Sequence, residues 1–469
     1  MLISLRFTQT YSSTALVDLH KVEYIMNIGA HLSVGGGISN AAKEAGKLKI
    51  NCLQIFSGSP RSWNNNVINK EEIDKFKYLT KKYNIDFVYI HSKYLINIGS
   101  NNPKVVQSSI DSLIFDLNLA KKINARGVIF HPHPRFNQKI IVNSIKKILD
   151  ETPKGSSLIL ENSAQDKIKT IGKIIKNVKN DRVKFCLDTA HAFQSGYDLS
   201  KEKGIKQLIK DIRTYIQLDK WDVIHANDSK TEFGSKHDVH ALVGQGNIGK
   251  LPYLILTNHP YSSHLPFVLE TPAFKENEMQ KIKEIKNLRS FGGKKLNADF
   301  FQQNTLTVAK QLLGKAIVVK NKNKLLIGEI NETEAYKGEE DKACHASKGK
   351  TKRTLTMYGS AGKLYVYLVY GMYYCLNIVT EKKNYPSAVL LRGIKPIYGI
   401  KNMADGPGKL TKILEINKKH NELDITTNND IYLLDIGIKT EKIKKAKRIG
   451  VDYAKEWAEK KWRYVAEKR

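Results

Sequence analysis

The stretch Val183–His191, VKFCLDTAH, decides the reading of the first half of the chain. A short apolar run ends in Asp188, and His191 follows three residues later. Seven other runs share the pattern of apolar residues closing on a polar, metal-competent or glycine-rich cluster. They are Ile28–His31, Cys52–Phe56, Phe87–His91, Gly127–His131, Ser157–Glu161, Asp222–His225 and Pro266–Glu270. Between them lie Lys-rich amphipathic stretches long enough for a crossover helix. Strands alternating with helices argue for βα units and a parallel sheet. Eight such units between Asn27 and Phe274 predict a closed (β/α)8 TIM barrel, with an open α/β sheet as the alternative. In a barrel the C-terminal strand ends share one rim. His91, His131, Glu161, Asp188, His225 and Glu270 then converge although they are far apart in sequence.

Around Lys275–Lys295 the character changes. The charged stretch KENEMQKIKEIKNLRS leads into FGGKK, which reads as a final helix and a flexible joint. The predicted barrel is 27–290 and the linker 291–295. From Leu296 to Arg469 the pattern is β-branched and aromatic alternation, as in KAIVVKNKNKLLIGEI. That predicts a mixed α+β unit on an antiparallel sheet, with helices at its edges. Met26 directly precedes the first strong strand, which sets residues 1–26 apart as a leader; its first 25 residues lack a signal-peptide core and cleavage site.

The 469 residues suffice for such a pair of units. Lys+Arg is 77 against 46 for Asp+Glu, a net charge of +31. Base-composition bias accounts for some of the lysine, yet the excess suits a phosphate-backbone partner. Cys52, Cys186, Cys344 and Cys375 form no CxxC pair and sit in or beside apolar runs. Buried free thiols in a reducing cytosol are expected. No apolar stretch approaches the ~20 residues that span a bilayer.

Two further strings extend the metal-competent set. LDTAH adds His191, and HANDSKTEFGSKHDVH adds Asp238 and His240. With His91, His131, Glu161, Asp188, His225 and Glu270 there are nine candidate ligands. Imidazole and carboxylate together suit zinc. Nine donors exceed one tetrahedral site and suffice for three ions if a carboxylate bridges. Several adjacent metals suit phosphodiester hydrolysis.

Residues 27–274 resemble the endonuclease IV family of abasic-site endonucleases. The matching strings, in family order, are IGAHLSVGGG, HSKYLINIGS, FHPHP, LENSA, CLDTAHAFQSGYD, HANDSKTEFGSKHDVH, GQGNIG and LET. The resemblance implies three zinc ions. His91, His131 and a bridging Glu161 hold the first; Glu161, Asp188, His225 and Glu270 the second; His191, Asp238 and His240 the third. It also implies that Glu270 orients or deprotonates the attacking water, with cleavage 5′ to an abasic site leaving a 3′-hydroxyl. Arg61, Tyr94 and Leu95 match positions that enter the duplex while the damaged nucleotide is flipped out. Two departures are visible: Ala190 stands where the family usually has Cys, and HPHPR replaces a glycine-containing turn. His133, an extra imidazole in that turn, either disturbs the local geometry or faces solvent, and solvent exposure is the expectation. The rival reading is a metal-dependent sugar isomerase-like barrel fused to a nucleic-acid-binding module. It leaves His191, Asp238, His240 and the Tyr94–Leu95 wedge without a purpose.

In the second half, GKLYVYLVYGMYYCLN places five tyrosines in ten residues, and EINETEAYKGEEDKACHASKGKTKRT joins carboxylates to Tyr336, His345 and a basic run. Alternating aromatics are often core; interleaved with basic residues they also stack bases. Residues 296–469 resemble the alkyladenine (3-methyladenine) DNA glycosylases, through LLGK, ETEAY, CHASKGKTKRT, MYGSAGKLYVYLVYGMYYCLN, AVLLRGIKP, GPGKL and RIGVDYAKEW. The resemblance implies that Glu334 is the general base and that Tyr336, His345 and Tyr367 enclose the flipped base. Tyr370 intercalates, Asn377 excludes guanine at the pocket floor, and Arg392 fixes a phosphate or water. This reaction uses water and no cofactor. The expected partner is double-stranded DNA carrying damaged purines or abasic sites, met by a monomer in the cytoplasm, at the nucleoid.

Overall fold

The computed structural model describes residues 26–65, 67–133 and 137–467. The leader before Met26 lies outside them. Eight parallel strands close on themselves: Ile28–His31 (β1), Cys52–Phe56 (β2), Phe87–His91 (β3), Gly127–Phe130 (β4), Ser157–Glu161 (β5), Val183–Asp188 (β6), Trp221–His225 (β7) and Phe267–Leu269 (β8). Closure comes from β1 on β8, with Gly29 opposite Val268. A side chain on Gly29 would put its Cβ 2.2 Å from the Cys52 carbonyl oxygen, so the β1–β2 approach requires glycine there.

The period of two along each strand divides the apolar residues into separate cores. Leu53, Ile90, Phe130, Leu160, Leu187 and Ile224 face outward under the helices. Cys52, Tyr89, Ile129, Ile159, Cys186, Val223 and Val268 point inward and fill the barrel as a cluster of their own. Asparagine begins several of the covering helices: Asn69, Asn102, Asn137 and Asn277 each accept a backbone N–H from the first turn.

The second unit is an antiparallel sheet. Its order is Lys294–Lys295, Ile431–Asp435, Ala316–Asn321, Lys324–Lys337, Ser387–Tyr398, Tyr373–Val379 and Leu364–Val369. The 14-residue strand Lys324–Lys337 also pairs with Arg463–Ala466, and register shifts near Ile327 and Glu332 bend it. Ile317, Val319, Leu326 and Leu433 pack with Phe301, Val308 and Leu312 from the flanking helices.

The opposite face of that sheet carries Ala316, Val318, Leu325, Ile327, Tyr432 and Leu434, which are continuous with the apolar layer of the barrel. The Tyr432 hydroxyl donates to Asn258 Oδ1 at 2.7 Å, and the Gly399 N–H to Glu202 Oε1 at 2.7 Å. The segment 291–295 is therefore no flexible joint. Phe291 ends the helix Glu278–Phe291, Gly293 turns at φ 83°, and Lys294–Lys295 pair with Asp435 and Leu434 as an edge strand. The four cysteines are free and buried. No helix among the described residues is long and apolar enough to cross a membrane.

Candidate active sites

Two residues beyond each inward apolar position, the same strand faces put polar side chains at the rim. Cys52 leads to Gln54, Tyr89 to His91, Ile129 to His131, Ile159 to Glu161, Cys186 to Asp188, Val223 to His225 and Val268 to Glu270. His31 completes the layer from β1. Ligand atoms of His91, His131 and Glu161 lie within 4.8 Å of one another, as do those of Glu161, Asp188, His225 and Glu270. Asp188, His191 and His240 form a third such group. Asp238, from the long loop, sets its two carboxylate oxygens 3.1 Å from His191 Nε2 and 3.1 Å from His240 Nε2.

Glu161 is at the centre, fully buried. His225 Nδ1 stands 3.0 Å from Oε1, and His91 Nε2 and His131 Nε2 stand 3.3 and 3.5 Å from Oε2. Burial pushes its carboxyl up, but the imidazoles of His131 and His225 outweigh this and hold it well below the usual range. Glu270 is lowered in the same way against burial, chiefly by His225. Burial takes His131 down to about 4, so its ring is neutral and able to ligate.

Sequence reading missed the residues that orient this layer. Gln54 donates from Nε2 to Glu270 Oε1 at 2.5 Å, while its Oε1 lies 2.8 Å from His225 Nε2. Asn227 donates to Asp188 Oδ2 at 2.6 Å and accepts the Glu270 N–H at 2.9 Å. Asn162 bridges Asp188 and His191 through its side chain and carbonyl. Asp228 accepts backbone N–H groups of Gly244, Gly246 and Ile248, and its neighbour Ser229 pairs with His240. That explains the GQGNIG string as scaffold for a ligand-bearing strand. The available signal was positional: Gln54 lies two residues beyond the inward Cys52 and so shares its face, opposite Tyr89 in register, while Phe56 at the strand end lies opposite His91.

Beside the cluster, Tyr94 is 63% exposed, with its ring edge-on to Phe56 at 5.4 Å. Its N–H donates to the Pro60 carbonyl at 3.0 Å, joining its loop to the one carrying exposed Arg61; Leu95 is half-buried. His133 is half-buried rather than exposed. Its φ of 47° turns the ring back to 6.1 Å from that of His131. Residues 134–136 of that turn lie outside the described ones.

The second site lies on three adjacent strands. Glu334 and Asn377 flank Leu390 in register. Glu334 is fully buried; it accepts the Tyr336 hydroxyl at 2.8 Å and the Ile449 N–H at 2.9 Å. Burial raises its carboxyl above the usual range, against Arg392. His345 meets Tyr367 edge-on at 4.6 Å, and its Nδ1 lies 3.1 Å from the Tyr365 hydroxyl. Burial, helped by Arg353 and Lys348, takes His345 down to about 4. Asn377 donates to the Tyr365 carbonyl at 3.1 Å. Tyr370 is 86% exposed at the tip of a hairpin. It and Gly371 occupy positive φ, 51° and 70°, and Met372 N–H closes the turn on the Val369 carbonyl. A tyrosine in that conformation is uncommon.

Arg392 is turned inward, with Nε donating to Glu332 at 3.0 Å and Nη1 3.5 Å from Glu334. It stands as a counter-charge beside Glu334. Arg448 was missed from sequence. It is fully buried, pairs with both oxygens of Asp341, and lies 4.9 Å over the Tyr336 ring.

The sequence model described as xylose isomerase-like TIM barrel matches residues 40–291, and that of methylpurine-DNA glycosylase matches 299–469. A Halothermothrix orenii protein named as endonuclease 4 is 36% identical over 276 residues, covering 56% of this chain and 99% of that protein. A Legionella pneumophila protein named as a 3-methyladenine DNA glycosylase is 48% identical over 172 residues, covering 36% of this chain and 93% of that protein. The chain belongs to both families. The crystal structure of endonuclease IV from Thermus thermophilus superposes on the barrel with TM-score 0.51 at 27% identity, covering 56% of this chain and 98% of that one.

The endonuclease IV half presents a donor set that fits divalent metal. Its imidazoles and carboxylates converge, and Glu161 and Asp188 are wholly buried with histidine as their only ion-pair partner among the described residues. The family position usually held by Cys is here Ala190, fully buried and donating nothing to the cluster. The glycosylase half gathers its titratable groups around one buried carboxylate and stacked rings.

Proposed function

We propose that the chain is a bifunctional base-excision repair enzyme. The unit 296–469 hydrolyses the N-glycosidic bond of alkylated or deaminated purines. The unit 27–290 then cleaves the phosphodiester 5′ to the resulting abasic site, leaving a 3′-hydroxyl. The carrying observation is the polar rim of the barrel, which combines phosphodiesterase-type ligands with an exposed aromatic wedge.

When bound, three zinc ions would supply an activated water and neutralise phosphate oxygens. His91, His131 and Glu161 would hold the first, Glu161, Asp188, His225 and Glu270 the second, and His191, Asp238 and His240 the third. Glu270 orients the attacking water and takes its proton, kept in place by Gln54 and the Asn227 contact to its N–H. Arg61, Tyr94 and Leu95 enter the duplex and fill the gap left by the flipped abasic nucleotide.

In the glycosylase, Glu334 removes a proton from water as its oxygen bonds to C1′ and the bond from C1′ to the purine nitrogen breaks. Tyr336 and Ile449 fix the carboxylate. Tyr336, His345 and Tyr367 stack on the extruded base; a neutral His345 does not repel a cationic purine, and the tyrosine rings attract it. Asn377 disfavours the exocyclic amine of guanine, Tyr370 enters the stack, and Arg392, beside Glu334, fixes a phosphate or water. This half needs no metal. The enzyme acts as a monomer on duplex DNA in the cytoplasm, at the nucleoid.

Two labelled duplexes test the assignment, one with an abasic analogue and one with a methylated purine, each with and without chelator. Incision of the first is expected to require metal and to return with zinc. Base release from the second is expected to ignore the chelator. Metal-independent incision, or no base release, would overturn the corresponding half. Turnover of a ketose or aldose in place of incision would favour the sugar-isomerase reading.

A further inference from the structure

Lys93 lies between the ligand His91 and the wedge residue Tyr94, yet it is only 3% exposed. A buried ammonium requires an acceptor for each of its three protons. It finds all three on the neighbouring loop: the carbonyls of Trp63 at 3.3 Å and Asn64 at 2.8 Å, and Asn65 Oδ1 at 2.6 Å. Trp63, Asn64 and Asn65 are themselves exposed, so the loop forms a roof over a buried cation. The same two loops are joined once more, by Tyr94 N–H to the Pro60 carbonyl. Arg61 therefore sits between two anchors that both originate in Lys93–Tyr94.

We propose that Lys93 is a positioning residue for DNA binding. It clamps the Arg61–Trp63 loop in a fixed relation to Tyr94 and Leu95, so that Arg61 and the wedge enter one duplex together. Being buried, it touches no substrate. Its removal frees the loop without altering the metal ligands. The proposal rests on the abasic-site reading above.

The test compares wild type, Lys93→Met, Arg61→Ala and the double variant, all in the full chain, on an abasic-analogue duplex. Lys93→Met is expected to raise KM about tenfold, as befits loss of hydrogen bonds to a charged group, with kcat within about twofold. Bound zinc, measured by atomic emission, is expected to stay at the wild-type level. Arg61→Ala is expected to add little once Lys93 is gone, because an unclamped loop no longer presents the guanidinium. Asn65→Ala, which removes one exposed acceptor and leaves the core intact, is expected to shift KM in the same direction by roughly two- to threefold. Wild-type KM in both Lys93→Met and Asn65→Ala, or full additivity with Arg61→Ala, would overturn the clamp. Failure of the wild-type chain itself to bind the duplex would overturn the abasic-site reading instead.

Discussion

Glu161 on the barrel rim and Glu334 in the glycosylase are both fully buried, and their environments push them in opposite directions. Around Glu161 stand His91, His131, His191 and His225, which hold the carboxylate ionised in spite of its burial. Around Glu334 stand one guanidinium at 3.5 Å, one hydroxyl and one backbone N–H, and burial dominates. The first environment suits a permanent anion that bridges cations. The second, which raises the carboxyl above its ordinary range, suits a carboxylate that accepts a proton. One residue type thus meets two opposite environments, which suit the ligand role proposed for Glu161 and the base role proposed for Glu334.

The sharpest attempt to break that comparison is a reciprocal pair of variants. Glu161→Ala is expected to lower incision by at least roughly a thousandfold and leave base release intact. Glu334→Gln is expected to lower base release by about 10²–10⁴-fold and leave incision intact. Single-turnover assays on the two duplexes decide it, and loss of both activities in either variant would argue for one shared site.

A second contrast concerns what supports each acid. Arg448→Met would leave Asp341 buried and unpaired, at a cost of about 3–5 kcal/mol to the glycosylase unit. Urea unfolding followed by base release is expected to report it; an unchanged midpoint would remove Arg448 from the support of the pocket.

The pH profile of base release gives a third test. Glu334 is raised, and the base role proposed for it needs the ionised form, so the acid limb of kcat/KM is expected above the ordinary carboxylate range of about 4. His345 titrates the other way. Its folded value of about 4 lies below the unfolded 6.5, so the folded state binds fewer protons between those values. The stability this confers is present above pH 6.5 and is lost as pH falls through about 4. His345→Phe is expected to flatten that acid slope in thermal melts; an unchanged slope would assign it elsewhere. The smallest effect belongs to the contact between the halves: Tyr432→Phe loses the bond to Asn258 and is expected to destabilise the chain by about 1 kcal/mol. A single calorimetric transition whose midpoint does not move would show that this bond contributes nothing across the interface.

Much of the barrel was legible because its strands bury both faces and end abruptly in charge. The runs closing on His91, Glu161, Asp188 and His225 coincide with strand ends of the structure, since a period of two fixes which side chain follows an inward apolar one. Gln54, Asn162 and Asn227 escaped because an amide carries no metal-ligand signal by itself; only its neighbours across the rim give it a role. The half-burial of His133 escapes a sequence reading because it depends on a positive φ that folds its ring back toward His131. In the second half, tyrosine alternation marked the strands, but Arg448 and Asp341 are separated by 107 residues and announce no partnership in sequence. FGGKK read as a joint for the same reason: an edge strand exists only when Ile431–Asp435 is beside it to complete its hydrogen bonds.

The amino-acid sequence by itself determined two units, the eightfold βα repeat, the set of metal-competent strand ends and the tyrosine-rich strands around Glu334. These are local properties, written in spacing and residue type. Tertiary structure alone decided which amides orient the ligands, that Arg392 faces Glu334, that Lys93 is roofed by the Trp63–Asn65 loop, and that the halves share an apolar layer rather than a tether. Each of those depends on groups brought together by closure of the barrel or stacking of the sheet upon it, and burial gives such contacts their weight.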